Sequence, residues 1–251
     1  HCPAGARIVD TAPLSLDGVA AFHHRLFEAL DALDEPGERF RAFSAHMAAT
    51  FSLDHPEEAG YSPAAPLDRA RADYLRLLRG WAFDADGREA AVLKGWVESR
   101  FGLLPRHHGG PIRDLSGPAY RLYLEQRSGG LYNTNSLEAQ FDLLYSWCQY
   151  ELARRRPGTG HLTLYRGVNR LEAFEDLGHP SLPRGRHVLL FNSLNSFTAE
   201  RERACEFGDQ ILEVQVPLPK VLFFHDLLPG KLRGEAEHAV IGGVYEVTVT
   251  S

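Results

Sequence analysis

The sequence predicts an α+β protein: a helical region over residues 1–157 joined to a β-rich region over residues 158–251, packed together as one compact unit. Two observations carry this. Apolar residues recur at helical spacing from about residue 15 to 156, and beyond the charged, Gly/Pro-rich junction Arg154-Arg155-Arg156-Pro157-Gly158-Thr159-Gly160 short runs of Val, Leu, Ile, Phe and Thr take over. About 90 residues of mostly strand make a small core on their own, so the second region needs the first to cover it.

In order along the chain, Leu16, Val19, Ala20, Phe22, Leu26, Phe27, Leu30 and Leu33 form an i, i+3, i+4 stripe that reads as one amphipathic helix ending before Pro36. A second helix is expected from Glu38 to Phe51. After a turn-rich stretch from Asp54 to Pro66, Leu67 to Phe83 places Leu67, Tyr74, Leu75, Leu78 and Trp81 on a broad apolar face. Ala90 to Phe101 repeats the pattern with Val92, Leu93, Trp96 and Val97. The longest candidate runs from Ser136 to Arg156, with Asn135 or Ser136 as its N-cap. Gly109-Gly110 and Gly129-Gly130 read as turns, since no phosphate-loop lysine follows them. Strands are expected at His161 to Tyr165, His187 to Phe191, Gln210 to Val216, Val221 to Phe224, Glu237 to Ile241 and Val244 to Thr250, with Gly242-Gly243 as a two-residue hairpin turn between the last two.

Composition narrows the function. In 251 residues, 44% hydrophobic and 24% charged is ordinary for a globular protein, and a formal charge of −6 argues against a nucleic-acid binder, which needs a basic surface. The three cysteines, Cys2, Cys148 and Cys205, show no metal-like spacing and fit a reducing cytoplasm, with Cys148 a buried thiol. His23-His24 and His107-His108 are adjacent rather than at i, i+4, so no metal site is expected. No apolar run reaches the roughly 18 residues of a membrane span, and His1-Cys2-Pro3 lacks the layout of a signal peptide.

Three short segments of the last third carry the chemistry. Arg166 follows a strand-like run and precedes Gly167: either a surface arginine at a strand end, or a permanent cation whose planar fork of donors suits phosphate and ribose oxygens, with Gly167 admitting a ligand amide to the backbone. Ser196-Phe197-Thr198 opens a polar stretch, and both hydroxyls could equally be a turn and a helix N-cap. Glu235 and Glu237 are spaced i, i+2, so an extended segment points both carboxylates one way. Like charges so placed are either well solvated or useful, and Glu200-Arg201-Glu202 has the same spacing on what reads as a solvated helix face. The run Ala239-Val240-Ile241 right after Glu237 distinguishes the first pair by anchoring it at a sheet.

Together these segments resemble the arginine–serine–glutamate clade of mono-ADP-ribosyltransferases, whose motifs come in this order. The runs Tyr74 to Trp81, Val92 to Gly102, His161 to Asn169 and Val221 to Phe224 are similar to the dinitrogenase reductase ADP-ribosyltransferases of nitrogen-fixing bacteria, from about residue 20 onward. The resemblance implies two small sheets around an NAD cleft and no metal. Arg166 would bind the NAD diphosphate and nicotinamide ribose, and Gly167 would meet the nicotinamide amide. Ser196 and Thr198 would brace the strand edge and the catalytic glutamate, and Phe207 would stack near nicotinamide. Glu237 would be the catalytic carboxylate and Glu235 the residue that makes arginine the acceptor. The loop from His225 to Gly234 would recognise the target. Ala199 departs from the pattern, which often has a second small hydroxyl there, and Thr198 is expected to supply it. The chain starts later than the resemblance leads one to expect. The implied activity is ADP-ribosylation of an arginine of the nitrogenase iron protein, under control of a PII signalling protein. Alternatives are an arginine-modifying toxin or effector with another target, and an NAD-sensing module without transfer.

Overall fold

The computed structural model describes residues 16, 18–54, 73–131, 136–178, 180–231 and 237–250. Its helices are α1 (Val19–Phe22), α2 (His24–Asp31), α3 (Pro36–Phe51), α4 (Tyr74–Phe83), α5 (Arg88–Phe101), α6 (Pro118–Gly130), α7 (Ser136–Arg155) and the short α8 (Arg201–Ala204). Its strands are β1 (His161–Val168), β2 (Glu175–Asp176), β3 (Arg186–Thr198), β4 (Gln210–Pro217), β5 (Val221–Phe224) and β6 (Glu237–Thr250).

Local chemistry sets the helix ends. Pro36 and Pro118 occupy first-turn positions, where a missing N–H costs nothing, and the Asp73 side chain accepts from the N–H of Arg76 at 2.7 Å. Gly102, at φ +67°, stops α5. The helix expected from Leu16 to Leu33 is instead broken at His23, whose ring turns to meet His46 of α3, Nδ1 to Nε2, at 2.9 Å. Helix α6 has no counterpart among the expected elements, and Gly129 and Gly130 are its last turn rather than a loop. A Cβ on Gly130 would collide with Val92 of α5, so the glycine is there to let two helices touch. Leu67 and Asn135, an expected helical residue and an expected cap, lie outside the described residues.

Among the described residues all strand pairings are antiparallel, and they form one six-stranded sheet that curls, not the two small sheets that the resemblance implies. Strand β6 pairs with β3 along its length, from Arg186↔Thr248 to Thr198↔Glu237, while its other edge is shared between β5 and β4. Strand β1 pairs with β4 and also meets the end of β3 at Tyr165↔Thr198, closing a ring of four strands. The hairpin expected at Gly242-Gly243 does not form, and β6 runs straight through both glycines. They sit opposite a bulge in β3, where the register steps from Phe191↔Gly243 to Leu194↔Ile241. A Cβ on Gly242 would collide with the carbonyl of Asn192, and Gly243 takes φ +119°. The two glycines therefore bend the strand rather than reverse it.

Helix α7 lies against β5 and joins the layers. Tyr145 Oη donates to the Pro219 carbonyl at 2.8 Å, and the Gln149 amide donates to the carbonyls of Leu218 and Val221 at 3.0 and 2.8 Å. One core runs from Leu30, Phe43 and Trp147 to Leu212, Val240 and Val247 without a gap, and Cys148 is buried in it. Within the helical layer, Arg39 donates to both oxygens of Glu151 at 2.5 and 3.2 Å and to the carbonyls of Leu33 and Asp34, while Arg155 donates to Glu151 at 2.7 Å. Burial pushes the Glu151 carboxyl up, but the bonds from Arg39 and Arg155 outweigh it and hold the group below its ordinary value.

Removing either partner strands the other's charge in the interior. Glu151→Gln or Arg39→Met is expected to cost about 3–5 kcal/mol in urea denaturation. Because the folded carboxyl titrates below the unfolded one, the wild-type advantage over Glu151→Gln is full above pH 4.5, the unfolded value, and shrinks as the pH falls through the folded value.

Candidate active site

The site forms where three strands meet. Thr198 is the register partner of Tyr165 on β1 and of Glu237 on β6, so the end of β3 brings Arg166 and Glu237 to its two sides. Ser196, opposite Ala239, is then a diagonal neighbour of Glu237. Its hydroxyl donates to Glu237 Oε1 at 2.5 Å, and its carbonyl accepts from Arg166 Nη1 at 2.8 Å. A single serine thus holds the guanidinium by its backbone and the carboxylate by its side chain.

Arg166 is not at a strand end; β1 continues to Val168. The guanidinium lies over the buried ring of Phe197, 6.0 Å from its centroid, which rests in turn on Phe191, with Phe174 and Tyr245 beyond. Burial lowers the Arg166 pKa and Glu237 raises it, and an arginine stays protonated at neutral pH through such a shift. Its Nε is buried without a hydrogen-bond partner. An unused, oriented donor on a permanent cation fits an anionic oxygen of a ligand such as the diphosphate of NAD.

Ser196 and Thr198 lie on a strand, not at a turn and a helix cap. Thr198 Oγ1 accepts from the Glu200 N–H at 3.1 Å, shaping the turn out of β3. The helix that follows β3 is only the short α8, whose carbonyl end packs onto β1: a Cβ on Gly167 would collide with the carbonyl of Ala204. The absence of a side chain at 167 is thus already required by the protein itself. The Phe207 N–H donates to that same carbonyl at 3.1 Å, so the exposed Phe207 ring belongs to the turn covering Gly167, next to Arg166. Glu200 and Glu202 are exposed, as their solvated reading has it. Glu235 and the end of the 225–234 loop lie outside the described residues. Among the described residues no group of three or more His, Cys, Asp or Glu could hold a metal ion, and no helix is long and apolar enough to cross a membrane.

One residue of this region carried no warning in the sequence. The side chain of Asn192, in the β3 bulge, accepts from the Arg106 N–H at 2.9 Å and donates to the His107 carbonyl at 3.0 Å. Its own carbonyl accepts from Asn195 at 2.7 Å. The bulge that aims Ser196 is therefore pinned to the loop after α5. Its polarity blended with the neighbouring Asn and Ser residues, and only the fold distinguishes it.

A fixed cation beside a carboxylate that a serine holds in place suits a dinucleotide from which a cationic sugar must be generated, the chemistry of an NAD-dependent ADP-ribosyltransferase. Comparison with known families makes the assignment particular. Residues 9–249 match the model of the family described as dinitrogenase reductase ADP-ribosyltransferase, and the chain belongs to that family. It is 41% identical over 249 residues to the NAD(+)-dinitrogen-reductase ADP-D-ribosyltransferase of Rhodospirillum rubrum, covering 97% of this chain and 89% of that protein. No solved structure matches.

Gly167→Ala is expected to displace the 201–208 segment, costing about 1–3 kcal/mol of stability and raising the KM for NAD, as checked by thermal melting and initial-rate kinetics.

Proposed function

We propose that this chain transfers ADP-ribose from NAD to an arginine of the nitrogenase iron protein and so switches nitrogen fixation off. The observation that supports it most directly is the run from Arg166 through Ser196 to Glu237, in a member of a family of that name. In this reading residues 158–251 form the catalytic core, and the helical residues before it buttress that core.

Arg166 binds the diphosphate and nicotinamide ribose through donors that include its unpartnered Nε. Gly167, Thr198 and Phe207 line the nicotinamide side. Glu237, held by the Ser196 hydroxyl, accepts from the ribose 2′-hydroxyl and lies beneath the positive charge that develops at C1′. The C1′–N bond breaks with its electron pair going to the pyridinium nitrogen, so nicotinamide leaves neutral and the sugar becomes an oxocarbenium-like cation. An acceptor guanidinium nitrogen then bonds to C1′, and Glu235 takes the proton it sheds. The ADP-ribosyl group adds bulk and negative charge to the target's docking surface, which blocks association. Control by a PII signalling protein and a cytoplasmic location belong to the same reading and rest on the family resemblance.

The test is incubation of the chain with labelled NAD and purified iron protein. Label on an arginine supports the reading; an active preparation that hydrolyses NAD but labels nothing overturns it. Glu237→Gln is expected to reduce transfer at least about 10²–10³-fold with NAD binding retained, read by labelling and by calorimetry. Glu235→Gln is expected to spare NAD hydrolysis and remove arginine modification, and equal loss of both would remove Glu235 from its acceptor role.

A further inference from the structure

Helix α4 lies far from Arg166 in the sequence, yet it is bonded to the loop that leads into Glu237. Arg79 donates from Nε and Nη2 to one carbonyl, that of Lys231, at 3.2 and 2.9 Å. The first half of this β5–β6 loop is anchored by Leu227 and Leu228, both buried in the core, and the Lys231 N–H donates back to the Leu228 carbonyl at 3.1 Å. Arg79 therefore holds the loop where it leaves that anchor.

The rest of α4 is engaged inward. Tyr74, Leu77, Leu78 and Trp81 are buried, Gly80 meets the side chain of Glu89 on α5, and the Tyr74 N–H donates to Gln140 of α7 at 2.9 Å. The helix turns outward Arg79, Ala82 and, four residues on from Arg79 and so on the same face, Phe83, which is 94% exposed. An aromatic ring left in water at the helix end, on the face bonded to the β5–β6 loop, is the type of anchor that protein interfaces favour.

We infer that the Arg79–Phe83 face of α4 extends the surface that docks the acceptor protein, with Arg79 as a positioning residue for the β5–β6 loop and Phe83 as a direct contact with that protein. The occupant is the acceptor itself, because the loop that Arg79 holds starts beside the site: Phe224, its entry, pairs with His238, the neighbour of Glu237, where the acceptor guanidinium must arrive. The inference rests on the transfer reading above and deepens it: the helical layer contributes to choosing the target, not only to supporting the sheet. A small guanidine needs no such surface. Only a protein acceptor reaches α4 while its arginine is in the cleft.

The experiment compares the wild type, Phe83→Ala, Arg79→Ala and Arg79→Lys in three assays: NAD hydrolysis, ADP-ribosylation of the small guanidine agmatine, and ADP-ribosylation of purified nitrogenase iron protein. Phe83→Ala is expected to raise the KM for the iron protein about tenfold, the effect of one interface anchor, with hydrolysis and agmatine kinetics unchanged. Arg79→Ala is expected to lower kcat/KM for the iron protein by a similar factor, and Arg79→Lys to restore part of it, since an ammonium can still donate to the Lys231 carbonyl. Wild-type kinetics on the iron protein in both alanine variants overturn the inference, as does a proportional loss in all three assays. A wild type that modifies agmatine but not iron protein sinks the choice of target in the preceding reading instead, and one that modifies neither sinks transfer itself.

Discussion

The arrangement where β1, β3 and β6 meet depends on Ser196 being gripped from two directions. Its carbonyl is the stop against which the Arg166 guanidinium rests, and its hydroxyl aims the Glu237 carboxylate. Opposite charges left to themselves would close on each other as an ion pair. With a strand residue between them, each charge is held by its own hydrogen bond to Ser196. Preorganisation of this kind is worth more than the net energy of the two hydrogen bonds, because no dipole must turn when positive charge develops.

That arrangement makes demands on the sheet. For Thr198 to neighbour both Tyr165 and Glu237, β3 must end between β1 and β6, and both long strands must bend in the middle to reach there. The bend combines an extra residue in β3 with two glycines in β6. The Tyr245 hydroxyl reaches back along its own strand to the Ile241 carbonyl at 2.5 Å, and Lys220 Nζ donates to the Gly242 carbonyl at 3.2 Å. Asn192 ties the outside of the same bend to the loop after α5. Strands bend readily at bulges, and closing a ring of four then leaves the core strands few free edges.

The helical layer answers a second demand. A curled sheet of this size cannot bury both faces by itself, and α7 supplies the cover, backed by α3, with Phe43 and Trp147 stacked at 3.8 Å and the Arg39–Glu151–Arg155 cluster beside them. A buried ion cluster is a costly way to join helices and gives little net stability, but its bonds have one geometry, which sets how α3 and α7 sit. Helix placement then reaches the Ser196 end of the sheet through the bonds of Tyr145 and Gln149 to the 218–221 backbone, of Asn192 to the loop after α5 and of Arg79 to Lys231.

Much was legible in the sequence where one periodic signal acted alone. The stripes of α3, α5 and α7, the change of period after Arg156, and the strands β4 and β5 follow from apolar spacing, since burying one face is what those segments do. The order of arginine, serine and glutamate also pointed to a chemistry. Glycine misled in both directions: Gly129-Gly130 ends a helix and Gly242-Gly243 bends a strand, where each pair reads locally as a turn. The reason is that a glycine marks close approach as often as reversal, and what approaches, Val92 in one case and the Asn192 carbonyl in the other, comes from far along the chain. Sequence alone determined the two layers, the net negative charge and the residue types available where β1, β3 and β6 meet, because propensity and hydrophobic period act over a few residues. Tertiary structure alone decided that Ser196 stands between Arg166 and Glu237, that Gly167 makes room for Ala204, and that Arg79 reaches Lys231, because each of these contacts joins segments that only the packing of a whole sheet against its helices brings within bonding distance.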